Sequence, residues 1–190
     1  MSNVRTPSIE RIDGNPSPAA EPGWQQQLRD GTQVTIRALH AQDGELERRF
    51  IEALSPQSRR FRFLETMSSP SEALLEQLTK LDPLTDVAYL AVVGTGTEEH
   101  EIGVARFSAD AGAADCEFAI TVSDEWQRKG LGAALMAHLV DAARARGIHE
   151  MHSADSSDND SMRQFAAHLK FQKSHDPADA RMMLYSVNLD

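Results

Sequence analysis

The sequence predicts an α+β domain built on one mixed β-sheet of about seven strands flanked by helices. Three observations predict it. Apolar residues recur with a period of two in some segments and about 3.6 in others. Strand patterns joined by short turns come before a strand–helix–strand unit, so antiparallel pairing precedes a parallel crossover. A glycine-containing turn, Gln127-Arg128-Lys129-Gly130-Leu131-Gly132, joins a strand pattern to the longest helix pattern. At 190 residues the chain is sized for one domain with a proper core.

The elements follow in order. Residues 1–23 are rich in Pro, Ser, Asn and Glu without hydrophobic periodicity, and read as a disordered tail. Residues 24–190 remain as the domain. Gln33–Arg37 alternates as a strand after an Asp30-Gly31 turn. Ala41–Ala53 has helical spacing, with Leu46, Phe50, Ile51 and Leu54 on one face. Ser55-Pro56 starts a second short helix, Ser as cap and Pro in the first turn. Ser71 caps a third that runs to Leu81. Val87–Val93 and Ile102–Phe107 are strands around a Gly94-Thr95-Gly96 hairpin turn. Ala114–Val122 is the next strand. A long helix, Leu131–Arg146, is closed by Gly147. A strand at His149–Ala154, a helix at Asn159–Leu169, and strands at Phe171–Ser174 and Met182–Leu189 complete the chain.

Composition narrows the function. The net charge is −10, which argues against nucleic acid as the main partner, because phosphate contacts need a basic face. It is compatible with a cationic partner such as an amine, or it simply keeps the protein in solution. No stretch of about 18 apolar residues suggests a membrane helix, and the N-terminus lacks a signal-peptide core. One cysteine, Cys116, allows no internal disulfide. The seven histidines show no metal-ligand spacing, so no metal is expected. A cytoplasmic protein is the simplest reading. A homodimer is compatible with the sequence and not required by it.

The turn at Gln127–Gly132 carries the chemistry. First-turn N–H groups have no intrahelical partners, and the helix dipole favours an anion there. Gly130 and Gly132 let backbone approach a ligand closely, while Arg128 and Lys129 add positive charge. The motif is neither G-x-x-x-x-G-K-[ST] nor G-x-G-x-x-G, since Leu135 stands three residues after Gly132. The remaining pattern, Q/R-x-x-G-x-G/A after a strand, resembles the acetyl-CoA loop of the GNAT N-acetyltransferase superfamily. The element order is similar too, and the resemblance covers about residues 28–189. It implies a GNAT (acyl-CoA N-acyltransferase) fold and acetyl-CoA as co-substrate. Gln127, Arg128, Lys129, Gly130, Leu131, Gly132 and Ala133 would hold its pyrophosphate. Backbone groups of Ile120, Thr121 and Val122 would meet pantetheine and the thioester carbonyl, because in that fold this strand splays from its neighbour.

A second segment resembles the same family. Asn159, Met162, Phe165, Leu169 and Phe171 match its Asn-to-Gly-Phe pattern in spacing. Asn159 is the cofactor contact this implies; a plain helix cap is the structural alternative, and both roles are compatible. Two positions depart. Ala166 stands where many members carry a tyrosine proposed as general acid, and Lys170 replaces a glycine. Without the tyrosine, water is left to protonate a thiolate that is fairly stable near neutral pH. Arg163 is a solvated helix charge or a phosphate contact.

Leu28-Arg29-Asp30-Gly31, Val34–Arg37 and Leu54–Phe63 are similar to the catalytic domain of bacterial Pat-type protein-lysine acetyltransferases. That resemblance implies a general base at Glu117. Amine acetylation needs a neutral nitrogen, and a lysine amine has a pKa near ~10.4, so a carboxylate at the reacting face suits the task. An ordinary exposed carboxylate is the alternative, and Asp115 is a weaker rival on the same face. Cys116 reads as a small core hydrophobe, His138 as surface or half-buried. Arg59, Arg60 and Arg62 form a substrate patch or a solvated helix face beside Glu65. The acceptor is an amine, on a protein lysine or a small molecule. A non-catalytic acyl-CoA sensor is the third reading, supported by the missing tyrosine.

Overall fold

A computed structural model describes residues 23–64 and 67–190. The expected tail lies outside the described residues except for Gly23, and so does Glu65. Among the described residues the strands are β1 (Trp24–Gln27), β2 (Gln33–Ala38), β3 (Asp86–Val93), β4 (His100–Ser108), β5 (Asp115–Val122), β6 (Glu150–Ser156), β7 (Gln172–His175) and β8 (Met182–Asn188). The helices are α1 (Gly44–Ala53), α2 (Pro56–Phe63), α3 (Glu72–Thr79), α4 (Leu131–Ala145) and α5 (Asp160–His168). One sheet runs β1-β2-β3-β4-β5-β6-β8-β7. Every pairing is antiparallel except β5 with β6.

The sheet has eight strands, one more than the sequence predicts. The extra one, β1, reads Trp-Gln-Gln-Gln and has no apolar alternation to betray it. Its backbone pairs with β2 from Trp24↔Ile36 to Gln27↔Gln33. The Trp24 ring stacks on His138 at 4.4 Å, which half-covers that histidine. The hairpin connection is longer than the expected 94–96 turn, running over residues 94–99 with a 3-10 turn at Gly96–Glu98.

Two apolar cores sandwich the sheet. On one face α4 and α5 press Leu131, Leu135, Met136, Leu139, Met162 and Ala166 against Phe107, Phe118 and Met151. Leu135 and Leu139 are 0% exposed, and truncating either to Ala costs about 2–5 kcal/mol. On the other face α1 and α3 bury Phe50, Ile51, Leu75 and Leu78 over Leu90, Val92 and Val104. Cys116 belongs to the first core, and burial pushes its thiol up to about 12. A nucleophilic thiolate is excluded there. The second helix layer stops at β5. Beyond it, Glu150, His152 and Ala154 of β6 stand exposed on the same face.

The β5–β6 ladder positions the site. It holds three pairs only: Asp115↔Glu150, Cys116↔Met151 and Glu117↔His152. Past Glu117 the two strands part, although β5 continues to Val122 and β6 to Ser156. No helix among the described residues is long and apolar enough to cross a membrane.

Candidate active site

A cleft of about 690 Å³ opens where β5 and β6 part. Its floor is Ile120, Thr121 and Val122. Its walls come from α2, from the loop before α4, and from α5 with the turn ahead of it. On its β4 side, Ser123 N–H donates to Ile102 C=O. Antiparallel alternation therefore turns the N–H and C=O groups of Ile120 and Val122 to the opposite edge, the one β6 has left. Gln127 fills part of that edge, its Nε2 donating to Val122 C=O at 3.2 Å.

The loop is built by local backbone geometry. Arg128 has φ +61° and Gly130 φ +92°, so two residues take left-handed conformations in the space of three. The first α4 bond is Ala134 N–H to Gly130 C=O at 3.1 Å. The N–H groups of Leu131, Gly132 and Ala133 precede it and have no intrahelical acceptor. Gly132 lies against α5: a Cβ there would stand 3.2 Å from the Phe165 ring. Gln127, Arg128, Gly130, Gly132 and Ala133 line the cleft.

Two loop residues contribute less than the sequence suggests. Lys129 turns away: its ammonium pairs with Asp30 at 3.1 Å over the Trp126 ring, and its carbonyl accepts from Arg29 N–H. Leu131 is buried in the core, so only its backbone belongs to the loop. Arg29 takes the place of Lys129 in the cleft wall. Its side chain runs past Gly130 and reaches His168 Nε2 at 3.2 Å. Sequence reasoning quoted Arg29 without giving it a role, because its position depends on the turn after β1.

The cleft's acids are tied into its walls. Asp124 accepts from Ser55 N–H, Ser55 Oγ and Ser58 Oγ at 3.0, 2.9 and 2.8 Å, which anchors α2 to the loop. Burial opposes its ionisation, but these hydrogen bonds hold the carboxyl below its usual range. Asp158 is bridged by Arg60 at 2.8 Å, and Asp160 by Arg163. Arg163 is thus a helix ion pair. Arg128 and Arg62, by contrast, line the cleft with no hydrogen bond or ion pair among the described residues. The three-arginine patch therefore divides by role. Arg59 is a strut on the carbonyls of Glu52, Leu54, Met67 and Ser68. Arg60 closes a bridge, and of the three only Arg62 is left without such a partner among the described residues.

Asn159 caps α5 by accepting from Met162 N–H at 3.1 Å, and its amide donates to both Asp155 oxygens. It is 8% exposed and still borders the cleft. Burial pushes the Asp155 carboxyl up, against the lowering effect of Asn159. Ala166 packs in the core at 2% exposure and leaves no hydroxyl at the position of the family tyrosine. Its neighbour Phe165 faces the cleft instead. Lys170 has φ +60°, so a non-glycine residue holds the left-handed position after α5.

Glu117 lies outside this cleft. It borders a second, open depression with His152, Ala154, Ser174, Leu184 and Ser186. Three residues of strand separate it from Ile120, roughly 10 Å. Its side chain shares a face with Thr121 and, across the ladder, with Arg106, which pairs with Glu47 of α1 at 3.1 Å. This is the face covered by α1 and α2, and Glu117 marks where that cover ends. Asp115 stands further out, 3.6 Å from the His152 ring.

A mixed sheet with one parted parallel pair, and a helix N-terminus aimed at the gap, defines a class. The chain belongs to the Acetyltransferase (GNAT) family, whose sequence profile matches residues 53–171. It is 40% identical over the full length of both chains to Acetyltransferase PA5475 of Pseudomonas aeruginosa. The GNAT domain of S. lividans PAT superposes with a TM-score of 0.80 at 23% identity, covering 87% of this chain and 96% of that one. A cAMP-binding acyltransferase from Mycobacterium smegmatis gives 0.61 at 24%, covering 88% of this chain and 47% of that one. At such identities these two structures speak for the fold alone. The chain is an acetyltransferase of a family that uses acetyl-CoA as co-substrate.

Proposed function

We propose that this chain transfers the acetyl group of acetyl-CoA to an amine by direct attack, both substrates being bound together. The observation that supports it is the meeting of two donor sets in one cleft. Leu131–Ala133 offer first-turn N–H groups beside Arg128, which has no ion pair among the described residues. Ile120 and Val122 turn backbone groups into the parted β5–β6 edge.

In this reading Gln127–Ala133 hold the pyrophosphate, with Arg128 supplying side-chain charge and Lys129 backbone alone. Ile120–Val122 align pantetheine, and one of their N–H groups polarises the thioester carbonyl. Asn159 borders the cofactor while it holds the start of α5. The amine nitrogen attacks the carbonyl carbon, the C–N bond forms and the C–S bond breaks. Sulfur leaves as a thiolate and takes a proton from water, since Ala166 offers none. Glu117 accepts the amine proton, through a water given its distance along the strand. Alignment of the two substrates carries most of the acceleration.

The acceptor is an amine on a protein lysine or a small molecule. The likeness of Leu54–Phe63 to Pat-type enzymes favours lysine. The open face of β6, beside Glu117, admits a bulky acceptor. Glu117→Gln tests the reading: kcat falls while acetyl-CoA affinity stays within about twofold. Unchanged turnover, or equal loss of turnover and acetyl-CoA affinity, contradicts the base role.

A further inference from the structure

Arg62 is the anomaly of the cleft. It is half-buried on α2 and lines the same cleft as Thr121. Among the described residues its one contact of this kind is with the ring of its own neighbour, Phe63, at 5.0 Å. Burial, with repulsion from Arg106, pushes its guanidinium down to about 10, still charged at neutral pH. Glu47, Glu101 and Glu117 act on it at longer range, and none forms an ion pair with it. A partly buried cation with no contacting anion among the described residues is costly to keep, and part of the cost is recovered when an anion arrives.

Thr121 supplies the second, independent observation. It is 8% exposed, and its Oγ1 has no hydrogen-bond partner among the described residues. Its side chain shares the Glu117 face of β5, the same face that α2 covers. Arg62 and Thr121 thus sit on the side away from α4 and its loop, where a second substrate enters rather than the pyrophosphate. Two donors in one cleft, one in its wall and one in its floor, both without a hydrogen-bond partner among the described residues, suit an acceptor-only group, and a carboxylate matches the guanidinium fork.

We propose that Arg62, with the Thr121 hydroxyl, forms a carboxylate subsite on the acceptor side of the cleft, so that the preferred acceptor is an amine carrying a carboxylate. This rests on the amine-acetylating reading above. Glu117 meets the ammonium end and Arg62 the carboxylate end. The carboxylate comes either from an amino acid's own carboxyl group or from an acidic side chain beside a lysine in a polypeptide.

The test compares matched acceptors on the full chain and on Arg62→Gln and Arg62→Lys. One arm uses ω-amino acids from glycine to 6-aminohexanoate, each beside its primary amide. The other uses lysine peptides flanked by Glu or by Gln. The parent should favour the carboxylate member of a pair by about 10- to 100-fold in kcat/KM, the scale of a charged hydrogen bond. Arg62→Gln should erase that preference while acetyl-CoA affinity holds and Tm does not fall. Arg62→Lys should restore part of it. The arm that shows the preference identifies the source. Preference in neither arm, or equal loss for acid and amide, overturns the subsite. Calorimetry of the N-acetylated products with CoA present reads the subsite without turnover. Arg62-dependent binding of the acid forms alone upholds it even if no amine is acetylated, an outcome that would sink only the functional reading. No such dependence overturns it.

Discussion

Gly130 and Gly132 stand two residues apart and should respond differently to the same added methyl. At Gly130 the backbone decides, because φ is +92° and a Cβ would meet only the flexible Arg29 side chain, at 3.4 Å. A left-handed L-residue costs about 1–2 kcal/mol. Reduced freedom of the unfolded chain returns about 0.4–1 kcal/mol. The net loss is about 0–1.6 kcal/mol by these terms. At Gly132 the backbone is helical, and alanine gains about 1 kcal/mol in propensity. Against that, Cβ would stand 3.2 Å from Phe165 Cε2 and 3.7 Å from Ile120 Cδ1. Phe165 borders an open cleft and has room to yield a few tenths of an ångström, so the two terms roughly cancel. In a domain of this size about 2–4 °C of Tm follows each kcal/mol. Thermal unfolding should show Gly130→Ala lower than the parent by up to about 6 °C and Gly132→Ala within about 2 °C of it. Acetyl-CoA calorimetry should rank them alike, because the Gly130 conformation sets the direction of the first-turn N–H groups. A larger Tm loss at Gly132 than at Gly130, or equal loss of affinity at both, refutes this reasoning.

Two further substitutions read the fold rather than the loop. Lys170→Gly relieves a non-glycine residue at φ +60° and should raise stability by about 0.5–1 kcal/mol, seen in denaturant unfolding. Glu101 is 8% exposed with neither oxygen hydrogen-bonded. Burial first, then the nearby Glu47 charge, raises its pKa well above the ordinary value. Its folded form therefore holds a proton that the unfolded chain releases. The stability linked to that proton is full below the ordinary glutamate range and declines as pH rises toward the folded value. Glu101→Gln should leave Tm nearly unchanged near pH 4 and raise it progressively above pH 5; a pH-independent difference would contradict the assignment.

The parts of the site written in consecutive residues were legible in the sequence. Gly130 and Gly132, the strand before them and the helix after them identify the loop because helix N-terminal chemistry is local. Asn159 was legible as a cap for the same reason. Lys129 was not, since its pairing with Asp30 depends on β1 and β2 folding back beside the loop. Nor was β1, which pairs through backbone and carries three glutamines. That Arg62 lacks a partner among the described residues needed the structure: in sequence it is one of three similar arginines, and only packing ties Arg59 and Arg60 to partners. Glu101 was hidden by an irregularity between Ala91 and Val92, which shifts the β3–β4 register and sends a glutamate inward. Such features arise from which strands meet, and no window of neighbouring residues records that.

The central claim is that the α4 N-terminus and the parted β5–β6 edge together hold acetyl-CoA. Calorimetry of acetyl-CoA with the parent and with a Gly130→Glu, Gly132→Glu double variant tests it most directly, with unfolding curves to verify that both are folded. The account predicts saturable one-site binding to the parent and none to the folded double variant. Undiminished binding to the variant, or no binding to the parent, would contradict it.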